Sequence, residues 1–185
     1  MLGHGAGGGV ETPDLKATAR AACTVGFNVA LVEQPYRVAG RRSQPPARQL
    51  DAAWLAVIEQ LRHGMLTQQP LIVGGRSAGA RVACRTAGEV GAAAVLCLAF
   101  PLHPPGRADD PSKSRLSELE AVRVPVLVVQ GESDPFGMPP PGPARKIVPV
   151  PGNHSLRSTH AIEAAVADWL QGSSPLGVIP KYLRH

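Results

Sequence analysis

The sequence LIVGGRSAGA, residues Leu71–Ala80, determines how the rest of the chain is interpreted. Its first half is a short apolar run typical of a buried strand, and its second half favours the start of a helix. A Gly-x-Ser-x-Gly pattern spans the junction at Gly75, Ser77 and Gly79. In a strand–turn–helix setting this spacing predicts a sharp turn that exposes the serine oxygen at the edge of a sheet. The pattern also fits an ordinary strand-to-helix turn without a catalytic role. Residues further along the chain are needed to distinguish the two interpretations.

The bulk composition predicts one globular domain. The chain has 185 residues, of which 44% are hydrophobic and 4% aromatic, so Val, Leu, Ile and Ala must build the core. No apolar run approaches the ~20 residues of a membrane span, and no secretory leader is recognisable. Cys23, Cys84 and Cys97 are widely spaced and odd in number, which predicts buried free thiols in a reducing compartment. We therefore expect a cytoplasmic protein with no membrane partner.

The net charge of +5 raises the question of nucleic-acid binding. Most basic residues are dispersed along the chain, and one group gathers around a predicted loop, namely Arg37, Arg41, Arg42 and Arg48. This group lacks the interleaved aromatic side chains of a nucleic-acid site. A solvated loop is therefore favoured, and no nucleic-acid partner is expected.

Strand and helix signals alternate along the chain. Helices are predicted over residues 13–25, 49–63, 78–87, a short segment near Leu119 and a last segment carrying Ile162, Val166 and Trp169 on one face. Strands are predicted over residues 28–33, 71–75, 94–100, 125–130 and 146–150. This alternation predicts a mostly parallel sheet with helices on both faces. We expect one domain over residues 1–172, with no lid domain, and a tail over residues 173–185.

Two further polar residues follow predicted strands. Asp134 comes after the strand ending at Gln130, and His154 comes after the strand ending at Val150. Because parallel strands end at one edge of a sheet, these residues are expected to meet Ser77 there. An imidazole can take the proton of a serine hydroxyl, and a carboxylate can orient the imidazole. The order Ser77, Asp134, His154 predicts a catalytic triad and is the order expected of an α/β-hydrolase.

Each residue of the predicted triad also has a simpler interpretation. Asp134 fits a turn before proline, and His154 fits an ordinary loop histidine. Other acids are available at Asp109, Asp110 and Glu132, but none follows a strand at the same offset. The combination in the right order favours Asp134 as the acid.

The glycine-rich opening of the chain supplies a predicted oxyanion hole. His4-Gly5-Ala6-Gly7 resembles the His-Gly-x-Gly loop of α/β-hydrolases, so the N–H of Ala6, or of Gly5 beside it, is expected to face the oxyanion. The second donor is the N–H of Ala78, directly after the serine. The same glycines also spell Gly-x-Gly-x-x-Gly, with Glu33 placed as a ribose-binding acid. That dinucleotide interpretation needs a strand before the glycines and leaves the predicted triad unexplained.

Several blocks together carry a resemblance to a known family. They are His4–Gly7, Gly74–Gly79, Phe100–Gly106, Gln130–Gly137 and Gly152–Leu156. The set resembles the dienelactone-hydrolase-like branch of the α/β-hydrolases, within it the testis-expressed hydrolase-like proteins and their bacterial relatives. The resemblance covers about residues 3–170 and implies a cytosolic, lid-poor hydrolase with a Ser77–Asp134–His154 triad. Chemistry by such a triad needs no cofactor, so none is expected. It implies no known substrate, and one relative serves as a subunit of a chromatin complex.

Two departures from the family pattern are visible. The family has a strand running into the glycine loop, whereas only Met1-Leu2-Gly3 precede it here. We therefore expect an N-terminally shortened chain. The strands near residues 28–33 and 71–75 would then either leave a gap at the centre of the sheet or close up on each other. In addition, Met138–Pro143 is too rich in proline to form the helix that the family has before the histidine strand. An extended crossover is expected there.

Three more residues are candidates for the surroundings of the site. Arg76 either favours acidic substrates or faces outward as a salt-bridge partner, and His103 either lines the pocket or is a loop histidine. His4 is a further pocket candidate, although bracing of the glycine loop is favoured. The remaining histidines have no partners at metal-ligand spacing, so no metal site is expected.

The sequence thus favours a serine hydrolase that cleaves an ester or other acyl bond of a small molecule through an acyl-enzyme. The alternative is a catalytically weak hydrolase-like module that acts as a protein-binding or scaffold domain. The intact set Ser77, Asp134 and His154 argues against this alternative, and the expected gap in the sheet argues for it. The sequence does not indicate the acyl group, the leaving group or the oligomeric state.

Overall fold

The computed structural model describes residues 1–64, 69–107 and 110–172. Its strands are β1 (Leu2–Gly3), β2 (Leu31–Val32), β3 (Ile72–Arg76), β4 (Ala94–Leu98), β5 (Val126–Gly131) and β6 (Arg145–Val150). Its α-helices are α1 (Pro13–Thr24), α2 (Pro35–Val38), α3 (Ala47–Arg62), α4 (Ala78–Thr86), α5 (Leu116–Glu120) and α6 (Thr159–Gln171). The tail predicted over 173–185 and the candidate acid Asp109 lie outside the described residues.

The strands form one sheet in the order β2-β1-β3-β4-β5-β6. Every neighbouring pair in this sheet is parallel. Because parallel strands need crossover connections, the helices come to lie on both faces of the sheet. The predicted α/β-hydrolase fold is confirmed, and all strands end at one edge, where the loops that follow them meet.

The predicted gap in the sheet is wrong, and so is the alternative that its two flanking strands close up. Strand β1 lies between β2 and β3, with Leu2 paired to Leu31 on one side and to Gly74 on the other. The Leu2 N–H donates to the Ala30 carbonyl over 2.9 Å, and the Gly74 N–H donates to the Met1 carbonyl over 2.9 Å. Two residues suffice here because a parallel neighbour on each side satisfies the backbone of this short strand.

The sheet has one apolar core on each face. Alternate residues of each strand contribute to one core and then to the other. In β5, Val128 packs with Trp54 of α3 in the core that also includes α4 and α5. Its neighbour Leu127 packs with Leu15 of α1 and Trp169 of α6 in the other core. This two-residue alternation is the reason why a continuous apolar strand signals a sheet covered on both faces.

Element boundaries differ from prediction at the β2 edge of the sheet. Strand β2 spans two residues instead of the predicted 28–33, and helix α2 occupies the start of the predicted loop. Pro35 opens α2, where its fixed φ and missing N–H are tolerated. The extended crossover predicted after β5 is confirmed, since the chain between Glu132 and Ala144 contains turns and no helix. Among the described residues, no helix has the length and apolarity of a membrane span.

Candidate active site

Ser77 lies at the sharp turn between β3 and α4. Its backbone has φ 50° and ψ −109°, a conformation that residues other than glycine rarely adopt. Its N–H donates to the Leu98 carbonyl over 2.8 Å, which ties the turn to the end of β4. The flanking glycines are required by close packing, because a Cβ on Gly79 would come within 2.5 Å of the Gly3 carbonyl oxygen. The turn thus presents the hydroxyl beyond the edge of the sheet.

The structure brings Ser77, His154 and Asp134 into one hydrogen-bonded chain. His154 Nε2 lies 3.0 Å from Ser77 Oγ, and His154 Nδ1 lies 2.8 Å from Asp134 Oδ2. Because a carboxylate only accepts, Nδ1 carries the proton that it donates to Asp134, and Nε2 is left to accept from the serine hydroxyl. This tautomer is the one in which a histidine can remove a proton from serine.

Asp134 is held on both carboxylate oxygens. Oδ1 accepts from the Phe136 N–H over 2.9 Å, and Oδ2 accepts from Gln130 Nε2 over 2.9 Å as well as from His154. Its side chain is 1% exposed, so these donors replace the water that the carboxylate loses. The carboxylate is therefore fixed in orientation before it meets the histidine.

Gln130 is a site residue that the sequence interpretation missed. Its side chain is fully buried, and Nε2 also contacts the carbonyl oxygens of Phe100, at 3.1 Å, and Gly137, at 2.9 Å. The amide thus joins Phe100, which follows β4, to Asp134 and Gly137 in the loop after β5 (residues 132–137, here the Asp134 loop). An amide side chain in an otherwise apolar buried strand was the signal that could have indicated this role.

The loop between β6 and α6 (residues 151–158, here the His154 loop) is held in place by two contacts. The Phe136 ring lies against the imidazole with centroids 4.2 Å apart and planes tilted by 38°. Arg76 Nη2 donates to the His154 carbonyl oxygen over 2.9 Å. One contact orients the ring and the other anchors the backbone that carries it.

Arg76 is a salt-bridge partner, as predicted, but the prediction that it faces outward is wrong. Its Nε lies 2.7 Å from Asp14 Oδ2, and the two side chains are 15% and 1% exposed. Asp14 Oδ1 accepts from the Leu15 N–H over 2.9 Å in the first turn of α1. Because the guanidinium already binds the Asp14 carboxylate and the His154 carbonyl oxygen, it is unavailable as a counter-ion for an acidic substrate.

The glycine loop lies directly beside the serine. A Cβ built on Gly5 would lie 3.4 Å from Ser77 Cβ and 2.7 Å from Arg76 Nη1, so the loop passes close to the hydroxyl. Ala78 opens α4, where an N–H has no acceptor within the helix. Within the described ranges, the N–H groups of Ala6 and Ala78 donate to no protein acceptor. Both are free to bind an anionic oxygen.

His4 braces this loop, which is the role that the sequence favoured for it. It is 2% exposed; Nδ1 lies 2.7 Å from the Gly5 carbonyl oxygen, and Nε2 accepts from the Gln34 N–H over 3.0 Å. Since Nε2 accepts, Nδ1 must carry the proton and donate. His4 therefore links the glycine loop to the segment that follows β2.

His103 lies beside the Asp134 loop. Its N–H donates to the Phe136 carbonyl over 2.9 Å, and its ring would lie 3.2 Å from a Cβ on Gly137. It is half-buried, and among the described residues it makes no hydrogen bond to Ser77 or His154. The structure thus places His103 as a support of the Asp134 loop.

Solved structures share this fold at low sequence identity. A Xanthomonas campestris protein assigned to the α/β hydrolase superfamily is 20% identical, with TM-score 0.65 over 92% of this chain and 96% of that chain. An α/β serine hydrolase homologue from Coxiella burnetii is 15% identical, with TM-score 0.66 over 90% and 83%. A Xanthomonas campestris α/β serine hydrolase without a lid is 21% identical, with TM-score 0.65 over 91% and 81%.

Comparison with curated proteins finds no match. The model of one family, the alpha/beta hydrolase domain, matches residues 1–168. This match spans the glycine loop, the Ser77 turn, the Asp134 loop and the His154 loop. It selects the hydrolase interpretation of the glycine loop over the dinucleotide one. The chain belongs to the α/β hydrolase domain family.

Proposed function

We propose that this α/β hydrolase is a serine hydrolase that cleaves an ester or another acyl bond of a small molecule through an acyl-enzyme. One observation carries the proposal, namely the hydrogen-bonded chain from Ser77 Oγ through His154 to Asp134, with links of 3.0 and 2.8 Å. The strained φ of Ser77 adds support, because strain of this kind concentrates at functional sites.

The geometry suits a two-step acyl transfer. Ser77 Oγ attacks the substrate carbonyl carbon while His154 Nε2 takes the hydroxyl proton, and Asp134 stabilises the imidazolium that results. The carbonyl oxygen becomes an oxyanion that the N–H groups of Ala78 and Ala6 bind. As the intermediate collapses, the bond to the leaving alcohol or thiol breaks and His154 returns the proton to it. Water then attacks the acyl-serine by the same route and releases the acid.

The branch of the family, the location and the need for cofactors are also parts of this proposal. The blocks that resemble the dienelactone-hydrolase-like branch, such as Phe100–Gly106, favour that branch and the testis-expressed group within it. Two of the structural neighbours are named as serine hydrolases or homologues of them, which supports the same reaction class by analogy. A cytoplasmic location and independence of cofactors stay predictions.

The scaffold-module alternative loses its main argument. It depended on a gap at the centre of the sheet, and β1 fills that position with hydrogen bonds to both neighbours. A module without activity also has no need for a strained serine within 3.0 Å of an imidazole. No observation on the described residues favours it.

A fluorophosphonate probe tests the proposed function, because it reacts with a serine only where the hydroxyl is activated. We expect labelling of the wild-type protein at Ser77, located by mass spectrometry of the modified peptide. Labelling should be lost in Ser77→Ala and His154→Ala and kept in Ser155→Ala, which removes the exposed serine next to the histidine. Circular dichroism of each variant confirms folding. A folded wild-type protein that stays unlabelled overturns the proposal.

A further inference from the structure

A cavity of about 740 Å³ opens beside the segment that follows β2. Its wall is formed by this segment, which includes α2, and by the first part of α3. Among the described lining residues are Gln34, Tyr36, Ala39, Arg41, Arg42 and Pro45. The volume is in the range of sites that hold a small organic molecule.

The cavity adjoins the proposed oxyanion hole. Tyr36, which lines it, donates its hydroxyl to the Ala6 carbonyl over 3.4 Å. Gln34, which also lines it, is bound through its N–H to His4. Two residues of the cavity wall are thus bonded to the glycine loop that carries the Ala6 N–H. The cavity wall is therefore connected by hydrogen bonds to the loop that would hold the substrate carbonyl.

The charge of the cavity wall is unbalanced. Arg41 and Arg42 are exposed, and no acidic partner lies within ion-pair distance of either in the described part of the chain. No Asp or Glu is among the described lining residues. By contrast, Arg85 of α4 is paired with Asp51 of α3 at 2.6 Å. The cavity therefore presents two guanidinium groups that a bound anion could neutralise.

The rest of the wall adds an apolar surface and one unsatisfied polar atom. Ala39, Pro45 and Ala53 contribute apolar surface. Gln34 is 5% exposed, and its Oε1 has no hydrogen-bond donor among the described residues. A buried polar atom without a partner is uncommon, and a bound molecule or water is one means of satisfying it. These features together are those of a ligand site with an anionic end.

We propose that this cavity binds an anionic group of the substrate, a carboxylate or a phosphate, through Arg41 and Arg42. The hydrolase would then prefer acyl compounds that carry such a group at one end and an aliphatic segment between it and the scissile bond. Guanidinium groups recognise carboxylate and phosphate by paired, charge-assisted hydrogen bonds. This inference deepens the proposed function and rests on it for the reaction.

The test compares matched pairs of 4-nitrophenyl esters. The monoesters of glutaric, adipic and suberic acid carry a terminal carboxylate, and the esters of pentanoic, hexanoic and octanoic acid are neutral chains of the same length. At low ionic strength we expect kcat/KM about tenfold higher for the anionic member of at least one pair. The ratio should approach one in the double variant R41Q/R42Q and should shrink with added salt. The chain length with the largest ratio measures the span from the carbonyl to the cations.

Arg123→Gln is the control for net charge, because it removes one positive charge from an exposed arginine that precedes β5, three strands away from β1 and its glycine loop. Its anionic-to-neutral ratio should equal that of the wild type. An equal fall in Arg123→Gln would mean that net charge, and not this cavity, selects the substrate. An anionic-to-neutral ratio unchanged by R41Q/R42Q would also overturn the inference.

Calorimetric titration with glutarate and, separately, with inorganic phosphate measures binding without turnover. We expect both anions to bind the wild type, about tenfold more weakly to R41Q/R42Q and unchanged to Arg123→Gln. Tighter binding of phosphate assigns the site to a phosphate-bearing substrate, and tighter binding of glutarate to a carboxylate-bearing one. No binding of either anion overturns the site. Anion binding without fluorophosphonate labelling would instead overturn the hydrolase reaction and keep the site.

Discussion

The Arg76 guanidinium joins the strand that carries Ser77 to the loop that carries His154. Its Nη2 donates to the His154 carbonyl oxygen over 2.9 Å, while its Nε lies 2.7 Å from Asp14 Oδ2. The residue next to the proposed nucleophile therefore fixes the position of the proposed base. The bridge holds the His154 backbone beside the turn in which Ser77 Oγ lies 3.0 Å from His154 Nε2.

Arg76→Gln should destabilise the protein strongly. The substitution leaves the Asp14 carboxylate, which is 1% exposed, without its counter-ion. Breaking a buried ion pair in this way costs about 3–5 kcal/mol, which urea unfolding would measure as a lower free energy of unfolding.

Arg20→Gln is the matched control for this change. Its ion pair with Glu163 is as short, at 2.6 Å, but the side chains are 59% and 33% exposed. Exposed pairs contribute less than about 1 kcal/mol, so a small effect is expected. Equal losses in the two variants would contradict the structural role assigned to Arg76.

Gln130→Met should impair turnover more than substrate binding. Gln130 Nε2 lies 2.9 Å from Asp134 Oδ2 and within 3.1 Å of two backbone carbonyl oxygens, and the residue is fully buried. Methionine fills the space but frees the carboxylate to turn away from His154. A displacement near 1 Å in such a site lowers the rate of the chemical step about 10²-fold. We therefore expect kcat to fall by about that factor, with KM little changed.

A second measurement separates this effect from simple loss of stability. The rate of fluorophosphonate labelling at Ser77 should fall in parallel with kcat at a temperature where circular dichroism shows Gln130→Met to be folded. Labelling at the wild-type rate would contradict a positioning role for Gln130.

The sequence predicted the parallel sheet and the meeting of Ser77, Asp134 and His154 at its edge, because the alternation of strands and helices implies the first and the ends of the strands imply the second. Parallel strands end at one edge, and each of these residues comes within a few positions of a strand end. Periodicity and turn residues, which are local signals, were enough to place those ends. The general position of the site was therefore predictable without any knowledge of side-chain contacts.

Features that depend on distant partners were not predictable. Arg76 is an ordinary surface residue by composition, and only the approach of Asp14 from α1 makes its burial favourable. Strand β1 was missed because two residues carry no periodicity, and its formation depends on backbone partners in β2 and β3. Gln130 likewise gains its role from carbonyl groups on other loops.

Gly5→Ala should remove most of the activity. The new Cβ would lie 2.7 Å from Arg76 Nη1 and 3.4 Å from Ser77 Cβ, and Arg76 cannot yield while it is bound to Asp14 and His154. The glycine loop must shift instead, which carries the Ala6 N–H away from the oxyanion. Loss of one such donor costs about 10²–10³-fold in kcat.

Gly7→Ala is the control in the same loop, because a Cβ there meets no atom within 4 Å. Its kcat/KM on the same ester should stay close to the wild-type value. A similar loss in both variants would show that the loop tolerates no side chain for reasons unrelated to its contact with Ser77.

The cysteines should differ sharply in reactivity. Cys84 Sγ and Cys97 Sγ lie 3.5 Å apart in the core, as predicted for buried thiols. The prediction is wrong for Cys23, which is exposed on α1. The hydrogen bond to Cys84 and burial raise the pKa of the Cys97 thiol well above its ordinary value. Since the thiolate is the reactive form, iodoacetamide should modify only Cys23 in the native protein and all three cysteines after unfolding in urea.

The raised pKa also predicts how stability depends on pH. The unfolded chain loses the Cys97 proton near pH 8.5, where the folded protein still holds it, so the free energy of unfolding falls as pH rises above about 8.5. Urea unfolding at pH 8 and pH 10 should show a smaller decline in Cys97→Ala than in the wild type. Native modification of Cys84 or Cys97 by iodoacetamide, or an equal decline in both proteins, would contradict the buried thiol pair, because a thiol that reaches solvent titrates alike in the folded and unfolded states.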